Sequence, residues 1–138
     1  MVYLSRTETF SSAHRLNRRR MDGQTNSQLY GKCNSLHGHN FKVEVTIKGT
    51  VDPTNGTLLE ADILKNIIYE TVMKTLDHKY IDEDVDYFRD NDIVSSLENI
   101  SVYIWKMISE RLPENVCLDS IKLHPTDKNV VVFRGQYV

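Results

Sequence analysis

The chain has 138 residues, a formal net charge of −2 and 40% hydrophobic residues. A chain of this length is expected to form a single domain, 1–138, that buries a core without disulfides or a structural metal. The near-neutral charge supplies no global field for nucleic acid or an anionic membrane, and no apolar run approaches a membrane span.

From Val2 to Ser11, Tyr3, Ser5, Thr7 and Thr9 alternate with Leu4, Arg6, Glu8 and Phe10, which predicts a first strand. His14 closes that segment. Arg15, Arg18, Arg19 and Arg20 follow as a basic cluster, readable as a solvated loop or as a collar for an anionic substrate. Asn17 to Tyr30 is polar without periodicity and is expected to be a long loop. Phe41, Val43, Val45 and Ile47 then alternate with Lys42, Glu44, Thr46 and Lys48, predicting a second strand over about Gly38 to Thr50. The breakers of Asp52-Pro53-Thr54-Asn55-Gly56 end it.

Leu64, Ile67, Ile68, Thr71, Val72 and Leu76 recur at helical spacing, giving a helix over about Asp62 to Leu76. Ile81 to Asp92 is a polar segment. Ser95 and Glu98 match a capping box, S-x-x-E, ahead of a second helix carrying Ile100, Tyr103, Ile104, Met107 and Ile108 to Leu112-Pro113. Cys117 to Leu123 and Asn129 to Phe133 read as two strands joined at Pro125-Thr126-Asp127-Lys128. The order ββααββ predicts an α+β fold, an antiparallel four-stranded sheet with two helices on one face. Its open edges make a ring-like oligomer physically attractive.

The chemistry concentrates in Gly31-Lys32-Cys33-Asn34-Ser35-Leu36-His37-Gly38-His39-Asn40. Side chains two apart in a strand share a face, so His37 and His39 present two imidazoles together. Antiparallel pairing brings the end of the first strand, and so His14, beside them. Three histidines without a fourth protein ligand describe a zinc site that keeps one position open. The alternative is a polar strand entry with His14 as a hydrogen-bonded loop residue. Of the two cysteines, Cys117 in Val116-Cys117-Leu118 reads as packed and inert, while Cys33 lies among polar residues near the histidines, where a neighbouring cation raises the thiolate fraction. Two unpaired thiols and a start without a signal-peptide core lead to a cytoplasmic expectation.

Four blocks together resemble the 6-pyruvoyl-tetrahydropterin synthase family and its 6-carboxy-tetrahydropterin synthase relatives. They are Phe10-Ser11-Ser12-Ala13-His14-Arg15-Leu16, Gly31-Lys32-Cys33 with His37-Gly38-His39-Asn40, Leu76-Asp77-His78-Lys79, and Glu98-Asn99 leading to Val102-Tyr103-Ile104-Trp105. The resemblance implies the tunnelling fold, with trimers stacked into a homohexamer and active sites at subunit contacts. It implies Zn2+ on His14, His37 and His39, with Cys33 as the proton-abstracting base. It makes Asp77 and His78 a second acid–base pair from a neighbouring subunit, and Glu98 a holder of the pterin ring. The implied substrate is 7,8-dihydroneopterin triphosphate, rearranged to 6-pyruvoyl-tetrahydropterin with loss of triphosphate in tetrahydrobiopterin biosynthesis.

Each of these residues also has a plainer use. Asp77 and His78 follow a helix whose last carbonyls a histidine can cap, and Glu98 satisfies the capping box by itself. The chain also departs from the family pattern. Three residues separate Cys33 from His37, the spacing typical of the carboxy branch, whereas Lys32-Cys33-Asn34 and Asp86-Tyr87-Phe88 look like the pyruvoyl branch. Leu97 stands where threonine is common, and Pro125 where a glutamate commonly anchors the pterin.

Overall fold

In the computed structural model, which describes residues 1–136, the two alternating runs become strands β1 (Val2–His14) and β2 (His37–Gly49). They pair antiparallel over their full length, from Val2 opposite Gly49 to His14 opposite His37. Phe10, Phe41, Val43, Val45 and Ile47 therefore turn to one face and are buried there. The remaining strands are β3 (Lys79–Tyr80), β4 (Val116–His124) and β5 (Val131–Phe133).

The sheet order is β3-β1-β2-β4-β5. The α+β class stands, but the expected four-stranded antiparallel sheet is corrected to five strands, and the sheet is mixed. β3 runs parallel to β1, with Ser12 opposite Lys79 and Ala13 opposite Tyr80. Two residues are too few to display a period of two, so nothing in the local pattern announces this strand.

β4 carries an irregularity that its composition explains. Val116 and Leu118 are buried at even positions, Ile121 and Leu123 at odd ones. A regular strand cannot send both pairs to one face. The register against β2 shifts between Thr46 and Ile47: Thr46 faces Ser120 and Ile47 faces Leu118, leaving Asp119 as the extra residue of a bulge. Cys117 lies on the face opposite Val116 and Leu118 and is exposed, which corrects the expectation of a packed thiol.

Among the described residues five helices accompany the sheet: α1 (Gly23–Tyr30), α2 (61–76), α3 (Ile81–Asp84), α4 (Asp86–Arg89) and α5 (Leu97–Ser109). Helix α2 buries Leu64, Ile68, Val72 and Leu76, a stripe repeated every four residues. In a straight helix of 3.6 residues per turn such a stripe drifts by about 40° per step. A wider π turn over Tyr69–Met73 takes up that drift. Helix α5 buries Ile100, Tyr103, Ile104 and Ile108 in the same core cluster as α2 and the inner face of the sheet.

Two further expectations change. The segment 17–30 contains α1, built without an apolar stripe because Asn26, 1% exposed, organises it. The Asn26 amide donates to the carbonyls of Arg18, Met21 and Asp22 and accepts from the Arg18 N–H at 2.7 Å. The N-cap of α5 is Ser96, whose hydroxyl accepts from the Asn99 N–H at 3.2 Å, and not Ser95. The capping-box reading of Ser95 and Glu98 is thereby displaced, and both residues are left for the site.

Candidate metal centre and its cavity

The β1–β2 register places Ser12 opposite His39 and His14 opposite His37, all on the inner face. Phe10 and Phe41, stacked with ring centroids 5.0 Å apart, continue that face into the core. Gly38 lies between His37 and His39. A Cβ there would come within 3.3 Å of the Ser12 carbonyl oxygen, so the close pairing of the strands at this point favours glycine.

The three imidazoles meet with ring centroids 4.6, 5.4 and 5.1 Å apart. One nitrogen from each lies within 4.8 Å of the others, and the group suits a metal ion. Hydrogen bonds select the tautomers. His14 Nδ1 lies 2.6 Å from the Ser95 carbonyl, and His37 Nδ1 lies 2.7 Å from the Ser35 carbonyl. A carbonyl only accepts, so both Nδ1 atoms carry the proton and both Nε2 atoms present a lone pair. His14 Nε2 is buried without a partner. An orphaned buried acceptor is costly unless a ligand completes it, and a cation among neutral imidazoles does so.

Electrostatics favours the neutral forms. Burial is the largest cause pushing His14 below the ordinary imidazole value; the Ser95 carbonyl and Asp82 pull the other way, while His37 and His39 add to the depression. His39 is lowered first by burial and then by His37. Neutral imidazole is the form that binds a metal.

Cys33 reaches the same cavity from the other side. It sits on the 3-10 turn Gly31–Asn34, which follows α1 after Gly31 takes a left-handed φ of 59°. The Leu16 N–H donates to the Cys33 carbonyl at 2.9 Å and Asn34 Nδ2 to the Leu16 carbonyl at 2.8 Å, stapling the turn to the end of β1. The cavity, about 530 Å³, is lined by the three histidines and Cys33 together with Leu97, Glu98 and Pro125. Lys32, Ser96, Thr126 and Asn129, not singled out from the sequence as site residues, also line it. Glu98 sits in the first turn of α5 and is exposed.

Asp77 and His78 lie elsewhere. Asp77 Oδ1 accepts from the Ser11 N–H at 2.9 Å and pairs with His78 Nδ1 at 3.0 Å. The Ser11 N–H, first, and then the imidazole hold the Asp77 carboxyl below its ordinary range. His78 adopts a left-handed φ of 61°, and its N–H donates to the Ser11 carbonyl at 2.6 Å. His78 borders a second hollow with Ser11, Asn40 and Lys79, and neither residue of the pair lines the cavity of Cys33 within one chain.

Three of the four clustered arginines pair with acids. Arg18 and Arg20 pair with Asp92 at 3.7 and 3.1 Å, and Arg19 with Glu83 at 3.1 Å while donating to the Asp82 carbonyl at 2.6 Å. Arg18, Arg19 and Arg20 fasten the loop after β1 to the segment of α3 and α4 while Arg19 and Arg20 stay exposed, as a solvated loop would.

The family model described as 6-pyruvoyl tetrahydropterin synthase matches residues 3–136. The chain belongs to this family. A 6-pyruvoyl tetrahydrobiopterin synthase of Poecilia reticulata is 46% identical over 97% of this chain and 90% of its own length. The Homo sapiens protein of that name is 43% identical over 96% and 91%. The solved 6-pyruvoyl tetrahydropterin synthase of Caenorhabditis elegans superposes with a TM-score of 0.90 at 31% identity, covering 98% of this chain and 96% of that one. The resemblance carried by the four motif blocks is thus borne out, and with it the assignment to a family of 6-pyruvoyl tetrahydropterin synthases. Among the described residues no helix is long and apolar enough to cross a membrane.

Proposed function

We propose that the protein is a zinc-dependent lyase that converts 7,8-dihydroneopterin triphosphate to 6-pyruvoyl-tetrahydropterin with release of triphosphate, a step of tetrahydrobiopterin biosynthesis. The observation that carries this reading is the orphaned Nε2 of His14 in a three-imidazole cluster that shares one cavity with Cys33, in a chain of this family.

Zinc held by His14, His37 and His39 supplies Lewis acidity that makes the C–H beside a substrate side-chain oxygen more acidic. Cys33, as thiolate, takes that carbon-bound proton. Glu98 accepts N–H bonds from the pterin ring across the cavity, as a charge-assisted acceptor. His78, oriented by Asp77 and contributed by a neighbouring chain, exchanges protons as the triphosphate departs with its bonding electron pair. One side-chain carbinol is oxidised to a ketone while the dihydropterin ring is reduced to the tetrahydro level, and loss of triphosphate from the terminal carbon leaves an enol that tautomerises to the second ketone beside a methyl group. The redox balance is therefore internal and requires no nicotinamide or flavin.

A homohexamer, a dimer of trimers of single tunnelling-fold domains spanning 1–138, supplies the second chain. Its support here is that neither Asp77 nor His78 lines the cavity of Cys33 in one chain and that the sheet ends on open, short edge strands. The two unpaired thiols suit a cytoplasmic location.

The three-residue gap between Cys33 and His37 favours a second reading, a 6-carboxy-tetrahydropterin synthase, which acts on the same substrate but expels a two-carbon fragment. Leu97 and Pro125 on the cavity wall favour a third, a pterin-binding member of weak turnover. Incubation of the purified zinc-loaded protein with 7,8-dihydroneopterin triphosphate, with products identified by mass, separates them. The pyruvoyl product with free triphosphate is expected; the carboxy product, or pterin binding without turnover, overturns the first reading.

A further inference from the structure

The strand register alone does not account for the orientation of His14. Its Nδ1 donates to the carbonyl of Ser95, a residue 81 positions away in the chain and fully buried. The Ser95 peptide is itself held. Ser95 Oγ donates to Asp82 Oδ1 at 2.8 Å and lies 3.2 Å from the Arg15 carbonyl. The same Asp82 oxygen accepts the N–H of Arg15, the residue directly after the ligand, at 3.2 Å. One carboxylate oxygen therefore grips both segments that define the His14 ring, the strand end that carries it and the peptide that receives its Nδ1–H. Asp82 is carried to this point by α3, which begins where β3 lies against β1 at Ser12 and Ala13.

We propose that Asp82 is a positioning residue for the metal centre, acting through Ser95 to hold the His14 imidazole in the tautomer and direction that a metal needs. This rests on the zinc reading given above. Ligating histidines depend on the acceptor at their other nitrogen for tautomer and direction, and loss of such outer partners lowers metal affinity by about 10–100-fold. In this chain the acceptor is a backbone carbonyl that no side-chain substitution removes, so Asp82 and the Ser95 hydroxyl become the replaceable parts of the support. The arrangement also gives the short helices α3 and α4 a role: they bring the acid that sets the ligand while Arg19 fastens the same turn through the Asp82 carbonyl.

The test compares zinc affinity, measured by chelator competition, in the full-length protein and in Asp82→Ala, Asp82→Asn and Ser95→Ala, with His37→Ala as the ligand control. Asp82→Ala and Ser95→Ala are each expected to weaken zinc binding by about tenfold or more, and the double variant by little more than the worse single one, because both break one clamp. Asp82→Asn, whose amide oxygen still accepts, is expected to fall between. The visible spectrum of the cobalt-loaded protein should change in Asp82→Ala, a readout of ligand geometry that a purely structural defect in a correctly folded variant leaves unmoved. Zinc affinity and cobalt spectrum unchanged in Ser95→Ala overturn the proposal even if Asp82→Ala fails to fold. If His37→Ala loses zinc while Asp82→Ala and Ser95→Ala keep it, the zinc reading stands and this one falls. Absence of zinc binding by the unmodified protein sinks both.

Discussion

Two histidine sites flank the end of β1 and differ in almost every physical respect. His14 is 2% exposed, its ring fixed by a carbonyl and its free nitrogen aimed at two other imidazoles. His78, on a side chain 83% exposed, stands at a left-handed turn beside a carboxylate and faces outward. The first arrangement disfavours the imidazolium and so preserves a lone pair. The second leaves an imidazole open to whatever meets the surface. One chain thus assembles a three-imidazole floor that suits a metal ion, beside a thiol, and leaves a carboxylate–imidazole pair at the surface.

The sharpest way to break that division of labour is at the thiol. Cys33→Ala is expected to retain zinc and lower turnover by about 10²–10⁴-fold, the usual contribution of a positioned base. Loss of zinc together with turnover would make Cys33 a ligand and erase the distinction between floor and base. His37→Ala addresses the floor itself: stoichiometric zinc should disappear, measured by metal analysis after gel filtration, while the far-ultraviolet dichroism stays unchanged, since the buried cluster of the core lies beyond the histidines. Mixing Cys33→Ala with His78→Ala protein then tests whether the two sites cooperate across chains. Partial recovery of turnover after subunit exchange is expected, and none would mean that each chain works alone.

A smaller effect is expected on the cavity wall. Pro125 is buried and lines the cavity, offering neither a side-chain acceptor nor an N–H. Pro125→Glu should tighten pterin binding by roughly tenfold, about 1.4 kcal/mol, by adding a charge-assisted acceptor, and Glu98→Ala should loosen it. Tight binding that survives Glu98→Ala would show that the ring rests on other groups.

The mildest expectation concerns pH. His14 and His39 lie below the ordinary imidazole value in the fold, chiefly through burial. The unfolded chain regains a value near 6.5. As pH falls through about 6.5 the unfolded state therefore takes up protons that the fold resists, and stability falls. Asp77, lowered by Ser11 and His78, adds a loss of the same sign only near the carboxylate range. The melting temperature of the zinc-free protein should be lower at about pH 5.5 than at about pH 7.5. An unchanged melting temperature would mean that His14 is not buried as neutral imidazole.

Legibility in the sequence followed the range of the interactions. The β1–β2 pairing was readable because alternation is local and the register follows from it, and with it came His14, His37 and His39 on one face. Cys33 and Glu98 meet those residues in the cavity, as the motif blocks implied. The acceptor of His14 was not readable: Ser95 had a sufficient local explanation as a cap, and its contact with His14 spans most of the chain. Helix α1 escaped because a single buried amide, Asn26, replaces the apolar stripe that marks a helix. β3 escaped because it is two residues long, and the outward turn of Cys117 depends on the alternation of β4 on the near side of its bulge.

The bulge at Asp119 acts as a phase switch. If Asp119 were paired in the ladder instead of bulged out of it, Ile121 and Leu123 would trade faces with Ser120 and Lys122, and the hairpin leaving β4 would arrive rotated, with Pro125 and Thr126 turned away from the cavity they now line. What the cavity meets at this wall is therefore set by where the ladder skips a residue as much as by which residues form the hairpin. Loss of Asp119 would straighten β4 and leave the wall as it is, whereas a regular pairing of Asp119 would re-address the entire wall in a single step, something no substitution at Pro125 can do.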